Sequence, residues 1–87
     1  MANVQRHLSI HFNTRFFKGV TNEDILNEVD KIVETESIAS IQLTEKDCII
    51  SLKNQTAKEK LVTNGITLRN RSVNFLDVEK NYYKYYS

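Results

Sequence analysis

At 87 residues, the chain has room for one domain with a modest core and not for two. Its 40% hydrophobic and 26% charged residues exclude wholesale disorder, and no apolar run approaches the roughly 20 residues that cross a bilayer. The net charge of +1 hides an uneven distribution, because residues 21–36 hold six acids against the single base Lys31 while the rest of the chain has eleven bases against five acids.

Residues 8–12, "LSIHF", alternate Leu8, Ile10 and Phe12 with Ser9 and His11, the two-residue period of a strand with one buried face. The loop "NTRFFKG" follows, with one of its two phenylalanines expected to plug the core. A helix then starts at Thr21, which can cap, with Asp24 placed to reach back and Val20 to staple onto Ile25. Ile25, Leu26, Val29, Ile32 and Val33 recur at helical spacing opposite an acidic side. Such charge polarity, acidic here and basic elsewhere, could orient the molecule on a polyanion, although a solvated helix face accounts for it equally well.

Ile38, Ile41 and Leu43 predict a second strand, "TEKD" a short turn, and Cys48, Ile50 and Leu52 a third strand. Thr56 with Glu59 three residues on predicts the start of a second helix, with Ala57, Leu61 and Val62 on its apolar side and Gly65 as its C-cap. "ITLRNRSVNFLDVE" alternates on both sides of Asn70-Arg71, a hairpin turn with Asn70 left-handed. The order is strand, helix, strand, strand, helix, strand, the last preceded by a hairpin arm. Its compact solution is an α+β, ferredoxin-like βαββαβ sandwich: a four-stranded antiparallel sheet with strands 1 and 3 central and two helices on one face.

That order resembles the RNA recognition motif (RRM). "FNTRFFKGVTNEDI" is similar to that family's strand-1 exit and helix start, "SIASIQL" to its second strand, "KNQTAKEKLVTNG" to the helix after strand 3, and "ITLRNRSVNF" to its closing hairpin. The match covers residues 8–79, leaving 1–7 as an N-terminal extension and 80–87, "KNYYKYYS", as a Tyr-rich tail. A narrower resemblance is to the RRM-like domains that precede zinc knuckles in retrotransposon Gag-like and LINE-type first-reading-frame proteins, which would imply nucleic-acid packaging and self-association. The family presents aromatics for base stacking on strands 1 and 3. Carried across, those positions hold Ser9, Asp47 and Ile49, so the usual sheet-face mode is expected to be lost.

Two binding surfaces remain. In this topology the strand-1 exit loop, the turn between strands 2 and 3, and the closing hairpin turn meet at one end. That gathers Arg15, Lys18, Lys46, Arg69 and Arg71 on one rim with Phe16 and Phe17, a composition suited to RNA or single-stranded DNA. The alternative is a protein partner, or a second copy in a homodimer, on a mildly apolar sheet face holding Ile49, Leu76 and Val78, with Tyr82 and Tyr83 of the tail.

Catalysis is not expected. His7 and His11 lack companions at metal-ligand spacing, Gly19 stands alone rather than in a phosphate loop, and no cofactor or metal is implied. Cys48 falls on the inward face as a small core residue. As the only cysteine, in a chain opening without a signal-peptide pattern, it also suits a reducing, intracellular compartment, cytoplasmic or nuclear.

Overall fold

A computed structural model of the chain describes residues 8–77. His7, Val78, Lys80, Tyr82, Tyr83, Lys84 and both terminal extensions lie outside the described residues. The elements in order are β1 (Ser9–Asn13), α1 (Asn22–Val29), β2 (Ile38–Leu43), β3 (Asp47–Leu52), α2 (Gln55–Asn64), β4 (Ile66–Leu68), β5 (Arg71–Val73) and β6 (Leu76–Asp77). The described residues form an α+β fold with two α-helices, a 3-10 turn at Thr35–Ser37 and antiparallel sheets. One sheet runs β2-β3-β1-β6, and β4 pairs with β5 in a separate hairpin.

Alternation sets the inward face. Ile10 pairs with Ile50 and Phe12 with Cys48 across β1 and β3, and all four are buried. They join Ile25 and Val29 of α1 and Leu61 of α2 in one cluster. Each fully buried isoleucine or leucine contributes about 1.5–3 kcal/mol of transfer free energy, so this shared cluster is what binds the two helices to the sheet. Strand β2 meets the same core through a bulge between Ile38 and Ser40. The bulge lets Ile38 and Ile41, three residues apart, both pack against the core despite the two-residue period.

Helix α1 begins as its sequence dictates. The Thr21 hydroxyl accepts from the Asp24 amide at 3.1 Å, and the Thr21 amide donates to the Asp24 carboxylate at 3.0 Å. The helix ends sooner than the apolar spacing implies. After Val29 the chain tightens, with the Ile32 amide on the Val29 carbonyl at 2.9 Å, so Ile32 and Val33 reach the core from a turn.

The start of α2 also departs from expectation. Asn54, not Thr56, is the N-cap, its side-chain oxygen accepting from the Ala57 amide at 2.8 Å, while Thr56 lies inside the helix. Buried Lys58 accompanies Ala57 and Leu61 on the inner side, and Val62 is exposed instead.

The hairpin turn is Arg69-Asn70, one residue earlier than expected. Both residues have positive φ (51° and 65°), the two-residue turn whose twist matches antiparallel strands, so Arg71 belongs to β5. The expected single closing strand is split. Phe75, between β5 and β6, is buried with its ring edge-on to Phe12 at 5.6 Å, and among the described residues Leu76 and Asp77 pair alongside β1. Among the described residues no helix is long and apolar enough to cross a membrane.

Candidate nucleic-acid interface

The exit of β1 is fastened to the β2–β3 turn. The Thr14 amide donates to the Lys46 carbonyl at 3.0 Å, and the Thr14 hydroxyl donates to the Thr44 carbonyl at 3.2 Å. The turn is itself closed by Thr44, whose amide donates to the Asp47 carbonyl at 2.8 Å and whose hydroxyl accepts from the amides of Lys46 and Asp47. On the far side, the Arg69 guanidinium donates to the Lys18 carbonyl at 2.6 Å and ties the hairpin turn to the exit loop. Gly19, at φ 80°, turns that loop back toward α1. Three segments distant in sequence thus form one rim.

This rim brings together the exposed cations Arg15, Lys18, Lys46, Arg69 and Arg71. Arg69 has a fixed role, since one of its nitrogens is committed to a main-chain carbonyl. The Arg71 guanidinium carbon lies 5.5 Å from the centroid of the Phe16 ring, a cation–π distance, and Phe16 is 65% exposed. Phe17 has to be withdrawn as a base-stacking residue. It is 7% exposed and stands edge-on to Phe12 at 6.0 Å, so it is the phenylalanine that plugs the core.

Residue spacing did not reveal a cleft of about 560 Å³ beside the rim. Its apolar lining comes from Phe17, Val20 and Leu43, and its charged lining from Arg15, Lys18 and Glu45. Glu45 is not among the residues to which the sequence pattern points. The one available signal was its position in a turn next to Lys46, and that alone says nothing of what it faces.

The outward sheet face follows the expected register. Leu76, His11, Ile49 and Gln42 form a row across the four strands. Leu76 is 55% exposed, and Ile49 and His11 are half-buried. In the neighbouring row the hydroxyls of Ser9 and Ser51 are 2.9 Å apart, with Ser9 buried. The three positions where stacking rings would be expected are therefore a buried hydroxyl (Ser9), a half-buried aliphatic side chain (Ile49) and an exposed carboxylate (Asp47).

Cys48 is fully buried, and burial followed by the neighbouring Asp47 charge pushes its thiol from the usual 9.0 up to about 12. It therefore stays a neutral thiol at physiological pH and is no nucleophile. Between these two values the folded chain holds a proton that the unfolded chain has released, so stability must fall as pH rises through that window. Denaturant titrations should show the wild type losing about 1 kcal/mol between about pH 9 and 10 beyond any loss in Cys48→Ala. Equal losses in the two proteins would contradict the assignment.

No protein-family model and no curated protein matches the chain.

Proposed function

We propose that this chain is a noncatalytic RRM-like module, of the ferredoxin-like βαββαβ class, that binds RNA or single-stranded DNA through its loop rim rather than its sheet face. The β2-β3-β1-β6 order with two helices supports the class. The exposed Phe16 ring beside Arg71, within a rim of four further cations, carries the functional reading. Arg15, Lys18 and Lys46 neutralise phosphates, Phe16 and Arg71 offer flat faces to a base, and Arg69 holds the hairpin turn against the exit loop.

Titration with hexauridylate at low salt should shift the backbone signals of Arg15, Lys18, Lys46 and Arg71. With three phosphates neutralised, the affinity should fall about 20-fold between about 50 and 200 mM salt. Unmoved rim signals at low salt would dispose of the proposal.

A second reading rests on the exposure of Leu76 beside Ile49 on the outward sheet face. Such a patch suits a protein partner or a second copy. Sedimentation across a concentration series decides it: a dimer that dissociates in Ile49→Asp supports the sheet face, and a monomer throughout removes self-association.

A further inference from the structure

The cleft next to the rim is lined by an unusual combination. Phe17, Val20 and Leu43 provide apolar surface at one site, while two cations and one acid provide charge. Its volume of about 560 Å³ falls inside the range of about 300–1,000 Å³ typical of small-ligand sites. Among the described residues Glu45 makes no ion pair, although Arg15 and Lys18 line the same cleft. A carboxylate in a site for a polyanion costs affinity unless the ligand brings donors to it.

We propose that this cleft receives a guanine base of the bound strand, with the Glu45 carboxylate accepting from its Watson–Crick edge. The inference rests on the nucleic-acid reading above and deepens it. Guanine places N1–H and an N2 amino hydrogen side by side, two parallel donors that match the two oxygens of a carboxylate. Adenine and cytosine each set one amino group next to an acceptor nitrogen, and uracil sets its single N–H between two carbonyls. Each of these would hold an acceptor against the Glu45 charge. The purine ring lies against the half-buried Val20 and Leu43, with core-bound Phe17 forming only the floor beneath them, and the flanking phosphates fall to Arg15 and Lys18.

The test compares hexauridylate with the same hexamer carrying one central guanosine or one central adenosine, in wild type and in Glu45→Gln. Wild type should bind the guanosine hexamer about tenfold tighter than either of the others, with shifts at Leu43, Thr44 and Glu45. In Glu45→Gln the ratio should shrink to within about twofold, since one acceptor oxygen has become a donor. Glu45 is exposed, so the variant should melt with the wild type. Equal binding of all three hexamers with shifted rim signals would overturn the guanine assignment and leave the rim reading standing. A guanosine preference that survives Glu45→Gln would overturn it as well. Guanosine monophosphate binding as tightly as the guanosine hexamer would assign the cleft to a free nucleotide instead, and no binding of any hexamer would overturn both readings.

Discussion

Replacing Gly65 with alanine is expected to remove a large share of the protein's stability. Gly65 joins α2 to β4 at φ 67° and ψ −170°, a backbone region essentially confined to glycine. A Cβ there would lie 2.4 Å from the Val73 carbonyl oxygen, which is main chain and cannot swing aside. Relief requires moving β5 away from the helix end. Ile66, Leu68 and Val73 of the hairpin are all buried in the shared core, so that movement would loosen the core itself. The combined cost is roughly 3–5 kcal/mol, against about 5–15 kcal/mol for a whole domain. Urea denaturation should show the midpoint lowered by about 3 M, or the cooperative transition lost. A variant melting at the wild-type midpoint would mean that the chain does not take this path between α2 and β4.

The second large effect separates two adjacent phenylalanines. Phe17→Ala removes a buried ring packed edge-on against Phe12 and should cost about 3–5 kcal/mol of stability. Phe16→Ala removes a ring that is mostly in solvent and should leave stability within about 0.5 kcal/mol. On the proposed rim reading, its effect falls on binding. Loss of one stacking face should weaken single-strand affinity by about 1–3 kcal/mol, which is roughly 5- to 150-fold. Measuring melting and hexamer affinity on both variants gives opposite patterns if the assignments hold. If Phe16→Ala bound hexauridylate as well as the wild type, stacking at the rim would be ruled out.

What could be read from the residues depended on how local its cause was. The Thr21–Asp24 capping box is a contact over three residues and was legible outright. So was the inward set Ile10, Phe12, Cys48 and Ile50, because strand periodicity leaves a face only two choices. The end of α1 was not legible, because Ile32 and Val33 keep helical spacing after the helix has given way to a tighter turn. Asn54 outcompeted Thr56 as the cap of α2 because both are good capping residues, and the end of β3 decides where the chain is free to coil. The hairpin turn falls one residue earlier than its sequence pattern indicates, since it puts Arg69, a residue type rarely found at positive φ, in a left-handed position.

The site divides along the same line. Convergence of the three loops followed from topology, and the Thr14–Lys46, Thr14–Thr44 and Arg69–Lys18 hydrogen bonds realise it. Which phenylalanine turns inward was beyond any periodic rule, because the exit loop has no repeating geometry. The cleft and Glu45 depend on the β2–β3 turn and the exit loop lining one space, a tertiary fact with no local cue.

The main-chain ties from Thr14 to the β2–β3 turn also bear on how fast a ligand could be caught. Segments that are already hydrogen-bonded to one another lose little further freedom when a guest arrives, so capture would proceed as a single encounter step without a slow rearrangement after it. Selectivity would then lie in how long each guest stays rather than in how quickly it lands.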